Sequence, residues 1–296
     1  MGELQFNKGD IIIKEGDSGT SFYRILEGTA DVVINYGKDN QAQLVTLEPG
    51  NYFGEIASLE GTRRTATVIA AEDNTKVFEV EANQIDAYLK DNPDEIIEIM
   101  KHLGNRIRSL TAQYEEVQNL IAQLENGGPK TESMLKKISL FTKNIFGVSN
   151  ETDDSFEKMM AQLRASGQGG YARRLDTYDK GTIIFREDEP ADCMYAIQWG
   201  SVGIYTKYGT PDQLELTKLF TNDFFGEMGM INNTARSATA VVLEDDTTLE
   251  IIYMEDLIKL YAKNPNKIYM IMAHTANRLR RLTEDFNEAC AKLATM

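Results

Sequence analysis

The chain is short of the residues on which most metal and acid–base chemistry depends. It has two histidines and two cysteines in 296 residues. Neither His102 nor His274 falls in a strand-like region, and both read as ordinary helix-surface residues. A metal-dependent β-roll enzyme, which needs several His and carboxylate ligands converging on one ion, therefore finds no ligand set. A hydrolase built on a Ser–His pair finds no base. Cys193 and Cys290 stand far apart, too few for a disulfide framework or a zinc site, and read as free thiols of a reducing compartment. No run of about 18 apolar residues is present, which argues against a membrane span. The opening MGELQFNKGD lacks the apolar core of a signal peptide and carries Phe6 where myristoylation wants Ser or Thr. A cytoplasmic location without membrane attachment is the expectation. A basic excess is also missing: 31 Lys and Arg face 46 Asp and Glu, a net charge of −15, which argues against a nucleic-acid partner. With six prolines and no low-complexity tract, wholesale disorder is not expected.

What the chain does have is a copy of itself. KGDIIIKEGDSGTSFY from Lys8 matches KGTIIFREDEPADCMY from Lys180, 172 residues on. The same offset carries Gly28 to Gly200, Tyr36-Gly37 to Tyr208-Gly209, Phe53-Gly54-Glu55 to Phe225-Gly226-Glu227 and Arg64 to Arg236. It also carries Asn92-Pro93 to Asn264-Pro265 and Arg106 to Arg278, with no gap between Lys8 and Thr111. A period this long marks duplicated domains, since solenoid repeats run to about 20–50 residues.

Each copy opens on short strand-like stretches. DVVINY from Asp31 and SVGIYTKY from Ser201 alternate in part, and Tyr36 to Asn40 and Glu48-Pro49-Gly50-Asn51 read as turns. Many short strands at regular spacing predict a roll or sandwich. The period then changes to that of a helix, from Asp94 to about Leu124 and from Asn266 onward. Ile107, Leu110, Tyr114, Val117, Ile121 and Leu124 form a seam at alternating steps of three and four, as do Leu279, Leu282, Phe286, Ala289 and Leu293. Such a seam predicts a helix packed along another helix, with docking on its own roll as the alternative. Between the copies, Asn126-Gly127-Gly128-Pro129 breaks the first long helix, two shorter helices are expected over 131–144 and 152–165, and 166–170 reads as a hinge. The expected domains are 1–125 and 171–296, with a helical linker over 126–170. The expected fold class is α+β: two β-rolls, each followed by a long helix.

One motif stands out for its chemistry. It reads FGEIASLEGTRRTATV from Phe53 and FGEMGMINNTARSATA from Phe225. A buried arginine offers parallel donors and a permanent charge, which suits a single phosphate. Backbone N–H groups at the start of a helical turn add donors, and a glycine lets that backbone approach. A carboxylate accepts from a sugar hydroxyl. In these terms Gly54 and Gly226 permit the approach, Glu55 and Glu227 are sugar acceptors, and Arg64 and Arg236 are phosphate anchors. Ile56-Ala57 and Met228-Gly229 supply backbone donors, Thr65 and Ser237 supply hydroxyls, and Ala66 and Ala238 are small, as a tight pocket wall wants, in a motif that opens on Phe53 and Phe225.

Both stretches resemble the phosphate-binding cassette of the cyclic nucleotide-binding domain family, which includes bacterial catabolite activators, kinase regulatory subunits and nucleotide-gated channels. A lone FGE is a weak signal. FGE with Arg nine residues on, followed by Thr or Ser, then Ala and Thr, twice at one offset, is a strong one. The resemblance covers most of residues 4–111 and 176–283. It implies an eight-stranded roll with flanking helices. It also implies a non-enzymatic sensor in which bound ligand draws in the final helix, whose movement is the output. Polar residues on that helix read the base in catabolite activators, and the nearest matches are Thr111 and Thr283, subject to a one-turn slip of register. Thr65 follows a pattern associated with guanine, Ser237 one associated with adenine. The ligand expected is cAMP in preference to cGMP, with no cofactor and no metal.

Departures from the family are visible. The expectation is a protein without the docking and inhibitory segment of kinase regulatory subunits or the winged helix of catabolite activators, and with a segment of helical character between its rolls. Arg173-Arg174-Leu175-Asp176 is only incidentally like a pseudosubstrate, and Trp199 reads as core or turn packing. The partners expected are a cyclic nucleotide, an unidentified effector protein and, through the long helices, a second copy. The competing readings are a ligand-independent interaction scaffold and, more distantly, a nucleotide-processing enzyme.

Overall fold

A computed structural model describes residues 1–38, 41–126 and 171–295. The first roll is built from β1 (Gly2–Phe6), β2 (Ile11–Ile13), β3 (Phe22–Glu27), β4 (Ala30–Ile34), β5 (Ala42–Leu47), β6 (Tyr52–Phe53), β7 (Thr67–Ala70) and β8 (Thr75–Val80). These form two antiparallel sheets in the orders β1-β8-β3-β6 and β2-β7-β4-β5. Helix α1 (Glu55–Glu60) lies between β6 and β7, and α2 (Ile85–Asp91) and α3 (Glu95–Glu125) follow β8.

The second roll uses β9 (Arg174–Tyr178), β10 (Ile183–Phe185), β11 (Cys193–Trp199), β12 (Ser201–Thr206), β13 (Leu214–Phe220), β14 (Phe224–Phe225), β15 (Thr239–Val242) and β16 (Thr247–Tyr253). Its helices are α4 (Glu227–Asn232), α5 (Leu257–Lys263) and α6 (Pro265–Thr295). Its sheets, β9-β16-β11-β14 and β10-β15-β12-β13, repeat the first pair strand for strand. The two-roll α+β fold expected from the sequence is the fold observed. The two short linker helices and the hinge expected between the copies lie outside the described residues.

The repeat extends to backbone detail. Ladder irregularities fall at Ile11/Ile13, Ile25/Glu27 and Val32/Val33 in the first roll, and at Ile183/Phe185, Ile197/Trp199 and Ile204/Tyr205 in the second. Left-handed residues match in the same way. Gly16, Gly50 and Gly61 give way to Asp188, Asn222 and Asn233, all at positive φ. Asn and Asp are the residues with a Cβ that tolerate this region best. The chain therefore exchanged side chains while keeping its turns. Trp199, the last residue of β11 and at one such irregularity, is 66% exposed, so it lies outside the core.

Two compact units result. The first takes the described residues up to 92 with 105–126 and 272–295; the second takes 93–104 with 171–271. In the first unit Ile107, Leu110, Val117 and Ile121 of α3 are buried, as are Leu279, Phe286, Ala289 and Leu293 of α6. Lys292 of α6 reaches Glu125 of α3 at 2.8 Å, so the two seams run beside each other within one chain.

The second unit carries a buried charge that the first lacks. Glu250, 1% exposed, occupies the place of Phe78 in the first roll. It accepts from the Tyr171 hydroxyl at 2.6 Å, from Arg173 Nε at 2.8 Å and from Lys267 Nζ at 2.5 Å. Arg174 is held by Asp256. Both arginines of the 173–176 stretch thus have structural partners. Burial alone would raise the Glu250 pKa, but the bonds from Lys267, Tyr171 and Arg173 outweigh it and leave the pKa below its ordinary 4.5. A carboxylate held this way stabilises the fold fully above its unfolded pKa and loses that contribution as pH falls through the folded one. Glu250→Ala, which strands Lys267, should cost about 3 kcal/mol at pH 7 in urea unfolding of the second unit. The gap from wild type should narrow as the pH drops below 4.5; a gap independent of pH would rule out the charge as its source.

Candidate functional site

In the first unit the site is built at the end of a strand. β6 stops at Gly54, whose φ of 76° and ψ of 0° turn the chain directly into α1. The first N–H groups of a helix lack intrahelical partners, so residues 55–57 bring unpaired donors to this point. Arg64, 6% exposed, lies behind the turn. Its Nη1 donates to the Gly54 carbonyl at 2.8 Å and its Nη2 to the Ser21 carbonyl at 2.7 Å. A guanidinium has five N–H donors, so three remain for an anion. Burial lowers the Arg64 pKa, and the charges of Tyr23, Glu55 and Glu79 oppose that shift. Arginine starts so high that the group stays charged. Glu55, 2% exposed, receives Arg106 Nη1 of α3 at 2.5 Å.

These groups line a cavity of about 220 Å3. Ile13, Val32, Leu44, Val45 and Val68 make an apolar wall; Glu55, Arg64, Thr65 and Arg106 make a polar one. The third wall is α6, through Leu279, Arg280, Thr283, Glu284 and Asn287. An apolar slot with a few convergent charged groups is the usual form of a small-molecule site.

The second unit repeats the cassette. β14 ends at Gly226, φ 76°, and turns into α4. Arg236, 4% exposed, donates from Nη1 to the Gly226 carbonyl at 2.7 Å. Its Nη2 reaches the sulfur of Cys193, the counterpart of Ser21, at 3.7 Å, and its guanidinium carbon lies 4.2 Å from the Phe185 ring centroid. Burial pushes the Cys193 thiol pKa up, so the sulfur is a neutral, weak acceptor. The Arg236 Nε is buried with no hydrogen-bond partner. Glu227 is 1% exposed. Gly229 packs beneath Ala191, where a Cβ would come within 2.4 Å of the Ala191 methyl. Met228 and Ser237 flank this core of the cassette, half-buried and exposed respectively, while Phe225 and Ala238 are buried.

Phe53, Gly54, Glu55, Ile56, Ala57, Arg64, Thr65 and Ala66, the cassette residues named from the sequence for the first site, all line this one cavity. Thr111 is not among its lining residues; its hydroxyl donates to the Ile107 carbonyl at 2.9 Å. Thr283, assigned by the repeat to the second cassette, lines the first cavity. The physical reason is helix docking: residues 272–295 of α6 belong to the first compact unit. Sequence reasoning missed Arg280, Glu284 and Asn287. It noted Arg106 only as a repeat match, and that match with Arg278 was its one available signal. Among the described residues no group of three or more His, Cys, Asp or Glu could hold a metal ion.

A family model described as "Cyclic nucleotide-binding domain" matches residues 3–92 and again 175–264. Among curated proteins, a cAMP-dependent protein kinase regulatory subunit of Debaryomyces hansenii is 27% identical over 246 residues, 82% of this chain and 42% of its own length. A cGMP-dependent protein kinase of Toxoplasma gondii is 24% identical over 239 residues, 81% of this chain and 18% of its own. The chain thus spans less than half of either relative. Among solved structures, the regulatory domain of Toxoplasma gondii PKA with cAMP aligns over 93% of this chain and 85% of its own, at 18% identity and a TM-score of 0.29.

The Gly–Arg contact is directly testable. A Cβ on Gly54 would lie 2.6 Å from Arg64 Nη1, and one on Gly226 would lie 2.7 Å from Arg236 Nη1. Gly54→Ala should cost about 1–2 kcal/mol from the left-handed backbone alone, read in denaturant unfolding, and should displace the arginine. Gly61→Asn, which copies Asn233 at the matching left-handed position, should stay within about 0.5 kcal/mol of wild type. Equal effects of the two substitutions would contradict the crowding argument.

Proposed function

The chain belongs to the cyclic nucleotide-binding domain family, and from that premise we propose that it is a non-enzymatic sensor binding one 3′,5′-cyclic mononucleotide in each cassette, cAMP in preference to cGMP. The observation that carries this reading is the buried Arg64 guanidinium, held by two carbonyls with donors to spare, in the same cavity wall as a buried carboxylate. In this reading Arg64 and Arg236 hold the cyclic phosphate with the first N–H groups of α1 and α4. Glu55 and Glu227 accept from the ribose 2′-hydroxyl, and the apolar wall takes the base. The unpartnered Arg236 Nε supports the second site, because a buried donor without an acceptor is costly until an anion arrives.

Ligand contact becomes helix rearrangement through Arg106, which ties Glu55 to α3. The functional division is 1–125 and 171–296 with 126–170 between. The output passes to an effector protein, and the relatives' names point to a protein kinase as its class. A cytoplasmic setting and a homodimer through the long helices complete the reading. No helix among the described residues is long and apolar enough to cross a membrane. The hydroxyl of Thr65 in the cavity keeps cGMP as the alternative ligand of the first site.

Calorimetric titration with cAMP and with cGMP tests this. Wild type should show two sites, and Arg64→Ala and Arg236→Ala one each. The lost site should weaken roughly a hundredfold, as expected when charge-assisted bonds to a phosphate are removed. Absence of heat from every cyclic nucleotide would favour a ligand-independent scaffold, and product in the cell would indicate an enzyme.

A further inference from the structure

We infer that Cys193, a residue outside the cassette, governs how the second site takes its ligand. By giving Arg236 a sulfur in place of an oxygen, it leaves the Nε–Nη2 edge of that guanidinium to be closed by the two exocyclic oxygens of the cyclic phosphate. This rests on the reading of the second cassette as a cyclic nucleotide site. It adds a positioning residue and a mode of phosphate contact that the first site does not share.

A guanidinium is planar and carries its five N–H groups in a fixed fork, with Nε–H and one Nη2–H side by side along one edge. In the second unit the rest of the group is occupied. Nη1 donates to the Gly226 carbonyl at 2.7 Å, and the Phe185 ring centroid lies 4.2 Å from the guanidinium carbon. Along the remaining edge, Nε is buried without a partner, and Nη2 meets the Cys193 sulfur at 3.7 Å. Burial raises the Cys193 pKa, and Tyr195 and Arg236 oppose the rise only in part. The sulfur is therefore that of a neutral thiol, a weak acceptor.

In the first roll the main chain backs the matching edge. Arg64 Nη2 donates to the Ser21 carbonyl at 2.7 Å, and Gly19 packs so near that a Cβ there would lie 2.9 Å from both Nε and Nη2. The repeat places Ala191 and Cys193 at these two positions. Ala191 packs on α4 instead, its methyl 2.4 Å from where a Cβ on Gly229 would stand. The loop before β11 thus supports the short helix and leaves the arginine only a sulfur. A buried donor without an acceptor carries a penalty that an incoming anion relieves. Two parallel N–H donors fit two oxygens of one phosphate, the bidentate geometry in which such bonds are strongest. An oxygen at position 193 would compete with the ligand for Nη2, and the thiol does not.

The experiment uses the full chain carrying Arg64→Ala, so that only the second site is titrated. The probes are cAMP and cGMP, which share the phosphate end. Cys193→Ser puts a hydroxyl oxygen beside Nη2 and should weaken binding about tenfold, the size of one bond to a charged group made within the protein instead. Cys193→Ala removes the sulfur without supplying an acceptor and should stay within about twofold of the parent. A packing role for Cys193 predicts the reverse order, since alanine leaves a void and serine is close to cysteine in size. Alanine weaker than serine, or the two equal, overturns the inference. The Arg236 Nε–H resonance, assigned by its loss in Arg236→Ala, gives a second reading in the parent itself. Saturating ligand should move it to lower field, as an N–H entering a charge-assisted bond does. A resonance that stays in place with the site filled overturns the inference as well, and this measurement holds even where the serine variant folds poorly. If no cyclic nucleotide binds the parent while its circular dichroism stays native, the sensor reading itself fails, an outcome distinct from a reversed order of the two variants.

Discussion

A permanent positive charge buried at 6% exposure in one unit and 4% in the other constrains everything around it. Arg64 and Arg236 cannot shed their charge, so burial obliges the fold to surround them with acceptors. The first acceptor in each case is the carbonyl of the glycine that ends the short strand. That glycine must be left-handed to start the helix and must lack a Cβ to let the guanidinium approach. Strand end, glycine, short helix and arginine therefore form one unit. Since the carbonyls use only some of the donors, what remains is a cationic surface that an anion completes.

Around this shared centre the two copies diverge in ways that change chemistry without changing backbone. Arg64 rests on a carbonyl oxygen where Arg236 rests on a sulfur, a weaker partner. An apolar position at Phe78 becomes the buried, triply bonded Glu250 of the second roll. Turn positions exchange glycine only for Asp or Asn where φ stays positive. The two copies thus share their backbone geometry within narrow limits while their side-chain contacts differ. Two sites with one geometry and unlike surroundings are suited to different ligand affinities.

The first cavity also shows how a duplicated chain can use its own length. Most of its lining comes from residues 13–68, Arg106 and Leu110 join from α3, and the rest comes from 279–287. The arrangement makes ligand contact and helix docking interdependent. Residues 279–287 line the cavity only with α6 docked in the first unit, so any force that moves the helix changes the shape of the cavity.

The sequence by itself determined the duplication, the two-roll class of fold, several of the turns and the repeated cassette motif. Each of these follows from local rules: a glycine where φ must be positive, an arginine and a carboxylate at fixed spacing, a change of hydrophobic period from strand to helix. The seams on α3 and α6 were legible too, because burial of one helix face leaves a rhythm of three and four. What the rhythm could not say is which surface each face would meet. Thr283 stands at the repeat position of Thr111, yet it lines the first cavity while Thr111 does not. Glu284 and Asn287 carry no motif, and the roll residues that line the cavity with them, within 13–68, lie more than 200 residues earlier in the chain. Only the tertiary structure decides such contacts, since periodicity records that a face is buried and the docking of whole helices selects its partner.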